Sequence, residues 1–427
     1  DLAAKNSVMA AVVEEEIKEN LDVEVIERNN EVIKTPSNFD RSIEPGQGVS
    51  PKLNIPESWS ATTANQMKVL GVEQTELPLV NFSLIIDGGH MLDSFDKNGV
   101  ANLMTDIMME GTANRTPQEL EEAIELLGAS INMRTGNEAI TISGNTLVRN
   151  FRETMDLVEE ILLNPRWDEE ELKRIKLSTI NSIKRSSANP NVVSRNVRNK
   201  VLYGEKHMLA YPISGSVTSV EAITMNDLKS FYENYFSPSV SRFHIVGNID
   251  KEEVLTVLED LESKWAVKEV SIPTYPLPEK RDKASLYFVD IPNAKQSVID
   301  IGYLSMARTD SDFFAATVMN YKLGGSFSGN VNLILREEKG YTYGARTGFS
   351  GTKTPGTFSA SSSVRTNTTY ESVQIFKEEI DPKVGLQGFQ TRKIAFNLGL
   401  SGDAFKEMTK FVAALYKAYE ATDSAMF

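Results

Sequence analysis

The chain contains no cysteine, so disulfide cross-links and thiolate catalysis are excluded. That absence fits an exported, periplasmic protein that avoids stray pairing, and it fits a cytosolic one as well. Only three histidines occur, His90, His207 and His244, and none stands at metal-ligand spacing from another. No Ser-His-Asp arrangement and no Gly-x-x-x-x-Gly-Lys phosphate loop can be read. His244 lies in the apolar run "SRFHIVGNI", which favours a core histidine. No stretch approaches the ~18 apolar residues of a membrane span. Positive charge is also in deficit. A net charge of −14 argues against nucleic acid and anionic membrane as partners, and describes a soluble acidic surface with a mild preference for basic peptides.

What is present is a long globular chain. With 427 residues, 41% of them hydrophobic and 24% charged, it is too long for one core and predicts two or three domains. Residues 1–58 read as a lead-in and tether, since "PSNFDRSIEPGQGVSPKLNIPESW" holds four prolines. From Met67 the pattern tightens into two strands, the second ending at Gly88-Gly89. A helix follows over 98–112. Thr116, Pro117 and Glu119 then spell a capping box that opens another helix. "SINMRTGNEAITISGNTL" predicts two strands, "FRETMDLVEEILLN" a helix, and a charged helix runs from near Asp168 towards Ser187. Residues 268–283, with three prolines, read as a linker. Beyond it the order begins again. "LYFVDIP" and "QSVIDIGYLS" predict strands, two helices follow, then a strand pair and a helix. Residues 81–163 thus correspond to about 297–380, the mark of a duplicated α+β domain, here 59–267 and 284–427. Each is expected to be a mainly antiparallel sheet covered by helices.

Two stretches invite a chemical reading. In "NGVANLMTDIMMEGT" Asn102 and Asp106 stand four apart on one helix face, and Glu110 continues the row. Oxygen donors in a row bind a hard cation weakly; a solvated polar face is the plainer expectation. Zinc wants nitrogen or sulfur donors with a carboxylate, which Asn102 and Thr105 do not offer. In "LGGSFSGNVNLILREEKGYTYGA" Gly324 and Gly325 let backbone pass close to a neighbour. Arg336, near a helix end, and Tyr343, on the strand after Gly340, could aim a fixed cation and a phenol at one peptide carbonyl. From the residues alone, a surface Arg and a half-buried Tyr are the plainer expectation.

Several of these runs together resemble the pitrilysin/insulinase family of zinc metallopeptidases, which includes the mitochondrial processing peptidases. They are "DGGHMLDSFDKNGVANLMTDIMMEGT", "NPRWDEEELKR", "PISGSVTSVEAITMNDLKSFYENYFSP", "IVGNID" and "GGSFSGNVNLILREEKGYTYGA", in that order. The resemblance runs from about Trp59 to Ile380; "VGLQGFQTRKIAFNLGLSGDAFKEM" departs from it. It implies one half of a clamshell built from two similar α+β units. It also implies that the family's His-x-x-Glu-His motif falls on Asn102, Thr105 and Asp106, and its third ligand near Ser182, so ligands and general base are all replaced. No cofactor is then expected in this chain, which is not active alone, and zinc is expected in a partner half. The partner is a catalytic half, as a separate subunit or fused chain, or a second copy in a homodimer. Arg336 and Tyr343, seven apart in "REEKGYTY", match the pair that such non-catalytic halves lend to a peptide substrate, with Gly324 and Gly325 in the same substrate-binding segment. A scaffold subunit without proteolytic role is the alternative.

Overall fold

A computed structural model of the chain describes residues 56–278, 285–291 and 294–384, the last four without side chains. The lead-in over residues 1–55 and everything after 384 lie outside the described residues.

The first half is built on six strands. They are β1 (Ser58–Thr62), β2 (Lys68–Glu73), β3 (Leu79–Asp87), β4 (Ser130–Thr135), β5 (Ala139–Leu147) and β6 (Ser241–Gly247). Their spatial order is β1-β2-β6-β3-β5-β4, antiparallel throughout except where β2 runs parallel to β6. Along β3 the side chains alternate, and Val80, Phe82, Leu84 and Ile86 turn into the core. Phe82 stacks on Phe243 of β6 at 6.0 Å between ring centres, which ties two central strands together.

Between β3 and β4 lie α1 (Val100–Met108) and α2 (Pro117–Leu126). The capping box forms as its spelling predicts: Thr116 accepts from Glu119 N, and the Glu119 carboxylate accepts from Thr116 N at 2.8 Å. After β5 come α3 (Phe151–Leu163), α4 (Glu169–Ser186), α5 (Pro190–Tyr203), α6 (Val217–Ala222) and α7 (Met225–Tyr235); α8 (Lys251–Lys264) follows β6. α4 starts at the cap of Asp168, whose carboxylate accepts from Glu170 N and Glu171 N.

The second half repeats the opening of the first. β7 (Gln296–Leu304) is followed by α9 (Phe313–Asn320), a π turn over Tyr321–Gly325, α10 (Asn330–Asn332) and a second π turn over Leu333–Glu338. Then come β8 (Thr342–Phe349), β9 (Thr357–Arg365) and α11 (Thr369–Val384), with the strands in the antiparallel order β7-β9-β8. This sheet has its own core, in which Phe358 and Phe376 are wholly buried beside Leu323 and Leu335.

One expectation fails here. "LYFVDIP" forms no strand among the described residues, and Leu286 and Phe288 are 96% and 86% exposed. In the first half the corresponding early strand, β2, is held by pairing with β6. An extended segment that gains no ladder lacks the pairing that offsets the entropy of fixing a strand.

The halves are stitched together by polar contacts. α5 lies against β7, where Arg198 Nη1 reaches both carboxylate oxygens of Asp300 at 3.1 and 3.0 Å. Tyr203 donates to Pro355 O at 3.2 Å, and Lys353 Nζ pairs with Asp87 Oδ2 at 2.7 Å. Glu138 accepts from Lys353 N and Thr354 N.

Candidate functional site

The first candidate site is α1. Its opening residue Gly99 has φ 107°, a left-handed conformation that suits glycine, and it offers no side-chain cap. Asp93 supplies the cap from six residues upstream. Its Oδ2 accepts from Gly99 N at 2.7 Å and its Oδ1 from Ala101 N at 2.9 Å. The same Oδ2 lies 2.9 Å from His90 Nδ1, and His90 Nε2 lies 3.2 Å from Tyr211 O. Each ring nitrogen thus lies within hydrogen-bond distance of an oxygen, and the His90 and Asp93 side chains are fully buried. Sequence reasoning missed this cluster because the cap comes from outside the usual local spacing.

The row on α1 forms as its spacing predicts: Asn102 Nδ2 donates to Asp106 Oδ2 at 3.1 Å. It is not the solvated face expected of it. Burial, and secondarily the charge of Glu110, push the Asp106 carboxyl up to about 6. Glu110 itself is paired with Arg174 of α4. Thr105 is buried and donates to Asn102 O at 2.9 Å, while Thr135 of β4 donates to Ala101 O at 2.7 Å. Ser182 sits exposed on α4. The donor chemistry does not fit zinc. Asn102 and Thr105 are committed to neighbours within the helix, and Asp106 is the lone carboxylate left. Among the described residues no group of three or more His, Cys, Asp or Glu could hold a metal ion.

The other histidines sit elsewhere. His244 is only half-buried on β6, and its imidazole is held below its usual range by burial and by Arg242. His207 is fully buried; its Nδ1 accepts from Leu209 N at 3.1 Å, and Tyr203 and Tyr275 flank the ring.

The second candidate site is in the second half. Gly324 is a packing glycine: a Cβ there would stand 2.6 Å from Val331 Cγ2 and 2.7 Å from Thr347 Oγ1. At Gly325 a Cβ would meet Asn320 Nδ2 at 2.7 Å. Both glycines therefore let the π turn seat against its own neighbours. Arg336 lies in the second π turn with its guanidinium 4.5 Å over the Phe327 ring. Its Nη1 is buried 3.1 Å from Glu337 Oε1 and makes no hydrogen bond. Tyr343 lies on β8 at a bulge between Thr342 and Ala345, and it is 92% exposed, not half-buried.

One buried side chain holds both sites of this pair. Asn332, 1% exposed, donates to Phe327 O at 2.7 Å and accepts from Ala345 N at 3.0 Å. It thereby links the aromatic platform beneath Arg336 to the strand that carries Tyr343.

With this geometry in hand, the chain can be set beside known proteins. Residues 68–215 match the family model described as insulinase (peptidase family M16), and residues 222–384 match the peptidase M16 inactive domain. The chain belongs to the M16 insulinase family. A Streptomyces coelicolor protein described as an uncharacterized zinc protease is 24% identical over 288 residues, covering 66% of this chain and 62% of that protein. The chain thus spans less than two thirds of that M16 relative. Among solved structures, a peptidase M16 inactive domain from Pseudomonas fluorescens superposes with a TM-score of 0.73 at 23% identity, covering 86% of this chain and 92% of that one. At that identity the likeness is one of fold.

The end of the chain is different. Residues 368–427 match an ATP-grasp domain model. A stretch of 53 residues is 74% identical to the succinate–CoA ligase [ADP-forming] subunit beta of Flavobacterium johnsoniae, covering 12% of this chain and 13% of that subunit. The run that departs from the M16 pattern, "VGLQGFQTRKIAFNLGLSGDAFKEM", lies within that matched segment.

Proposed function

We propose that the chain is the non-catalytic half of a zinc metallopeptidase, which binds part of a peptide substrate and presents Arg336 and Tyr343 to the active site of a zinc-bearing partner half. The division into units at 59–267 and from 284 onward belongs to the same proposal, as does pairing with a catalytic half, separate or fused. The observation that carries the reading is the exposure of Tyr343. A phenol on a strand is normally packed, yet this one stands 92% exposed on a bulge, anchored on the far side through Asn332 to the Arg336 platform. A fixed donor facing solvent, as the Tyr343 hydroxyl does, is what a developing oxyanion requires, because it needs no reorganisation when charge appears. In this reading the Tyr343 hydroxyl and the Arg336 fork donate to the scissile carbonyl or the backbone beside it. Zinc, held by the partner, supplies Lewis acidity and the activated water.

The test is reconstitution with a zinc-bearing partner half and turnover of a quenched peptide, with assembly followed by size exclusion. Tyr343→Phe is expected to lower turnover by roughly 10²–10³, the usual worth of one oxyanion donor, with assembly intact. Arg336→Lys is expected to impair it too, since an ammonium cannot reproduce the planar fork. Full activity of an assembled Arg336→Ala, Tyr343→Phe double variant would assign this half to scaffolding alone.

A further inference from the structure

The two halves meet at a joint built around one titratable ring. His207 lies on the turn after α5 and is wholly buried. Its ring stands between two tyrosines, with centroids 5.0 Å from Tyr203 and 5.4 Å from Tyr275. Each tyrosine ties down a different segment. Tyr203, the last residue of α5, donates to Pro355 O in the turn between β8 and β9. Tyr275, in the linker, donates to Met91 O at 2.9 Å. Met91, Met208, Leu209 and Ala210 are buried in the same cluster, and Leu304 at the end of β7 packs against it. The β8–β9 turn is also gripped by Asp87 and Glu138 of the first half.

The hydrogen bond that His207 makes fixes its protonation state. Leu209 N–H donates to Nδ1 at 3.1 Å, so Nδ1 carries no proton and the neutral ring holds its hydrogen on Nε2. The bond caps the short helical turn over Met208–Ala210. An imidazolium offers no acceptor. A proton on Nδ1 would face the Leu209 N–H, and the turn would lose its cap. His90, the other fully buried histidine, has the carboxylate of Asp93 2.9 Å from its Nδ1. Among the described residues His207 has no such ion-pair partner.

The charged groups around the joint are engaged elsewhere. Asp93 accepts from Gly99 N and Ala101 N, Glu138 from Lys353 N and Thr354 N, and Arg198 is paired with Asp300. Glu205 and Lys206, just before the ring, are exposed, and Glu205 faces Lys200 at 3.4 Å. Burial pushes the phenols of Tyr203 and Tyr275 up, so both stay neutral.

We propose that His207 is an acid-sensitive latch, which holds the linker and the β8–β9 turn against the first half while neutral and releases them when protonated. Burial holds its imidazole below the usual 6.5, so the released form takes up the proton first as pH falls. With one proton at stake, opening increases by about tenfold from pH 7.5 to 5.5 and hardly changes at higher pH. The strand that carries Tyr343 runs into the turn that is released, so acid loosens its far end. Asp106 on α1 and His244 on β6 also titrate near this range, but neither touches the joint.

Amide hydrogen exchange at pH 7.5 and 5.5, corrected for intrinsic rates, reads the opening. Protection of residues 207–211 and 350–356 is expected to fall about tenfold relative to β3 in the core of the first half. His207→Asn keeps a side-chain oxygen for Leu209 N and cannot titrate, so it is expected to abolish that difference. His244→Gln is expected to leave it in place. Spectra of the unsubstituted chain carrying 15N-histidine need no variant, and at pH 7.5 they are expected to show His207 with its proton on Nε2. A proton on Nδ1 at that pH overturns the proposal, as does joint protection that does not change with pH. A pH difference that persists in folded His207→Asn overturns it too.

Discussion

The helix α1 and the Arg336–Tyr343 segment treat polar atoms in opposite ways. On α1 they are turned inward and answered at once: Asp93 by Gly99, Ala101 and His90, Asn102 by Asp106, and Thr105 by the helix backbone. On the second segment a buried guanidinium nitrogen, Arg336 Nη1, goes unanswered and a phenol stands in solvent. An inward polar group that is fully answered contributes rigidity, and it has nothing left for a ligand. An outward one contributes little to stability and keeps its hydrogen bonds for whatever arrives. In the reading proposed above, α1 is a structural part and the chemistry belongs to the other segment.

The comparison breaks most readily at Asp93. Asp93→Ala removes the acceptor for two backbone amides at the start of α1 and leaves His90 Nδ1 without its buried partner. The expected loss is roughly 3–5 kcal/mol, from buried donors left without an acceptor at ~1–3 kcal/mol each. Urea denaturation followed by circular dichroism measures it. A loss under about 1 kcal/mol would mean that water answers these groups and that the site is open after all.

Asp106 sharpens the same side, with the opposite sign. Its folded carboxyl titrates near 6, above its ordinary 3.8, because burial and Glu110 disfavour the charge. Below pH about 4 the folded and unfolded states are protonated alike and no penalty exists. As pH rises from about 4 to 6 the unfolded state ionises first, and the fold loses stability; above that range the loss is constant. Asp106→Asn is therefore expected to stabilise the chain at pH 7 by roughly 2–3 kcal/mol at most and to have no effect at pH 3.5. Melting curves at the two pH values give the answer.

Much of this was legible in the sequence where the signal is local. The capping box at Thr116, the cap at Asp168, the alternation along β3 and the four-residue spacing of Asn102 and Asp106 all rest on contacts within one or two turns. α5 carries an equally local signal, Asn189 as cap and Pro190 at the first position. Long-range facts were hidden. Nothing in "LYFVDIP" says that it forms no strand among the described residues, and nothing in "DSFDKNG" says that Asp93 reaches Gly99. The exposure of Tyr343 depends on a bulge whose register is set by β9.

Gly324 tests whether the second segment is as well packed beneath as it is open above. Gly324→Ala places a methyl 2.6 Å from Val331 and 2.7 Å from Thr347, both in the layer under the π turn. An expected cost of about 1–3 kcal/mol follows from overpacking. In the reconstituted enzyme the same variant is expected to reduce turnover, since the shift propagates through the loop to Phe327. A neutral result in denaturation would show that the turn yields, and the platform for Arg336 would then be soft.

The smallest effect is the most informative. Tyr343→Phe removes one hydroxyl from a side chain that is 92% exposed. Water answers that hydroxyl in the folded and unfolded chain alike, and the ring keeps whatever contact it has with the strand. The denaturation midpoint is therefore expected to stay within the ±0.5 kcal/mol of ordinary surface substitutions. The paired measurement is turnover with the zinc-bearing half, where the same variant is expected to fall by roughly 10²–10³. A hydroxyl that is silent in stability and costly in turnover is one that acts only on a bound substrate. If it proves costly in stability instead, Tyr343 is packed in solution, and the contrast between an inward α1 and an outward Arg336–Tyr343 segment no longer holds.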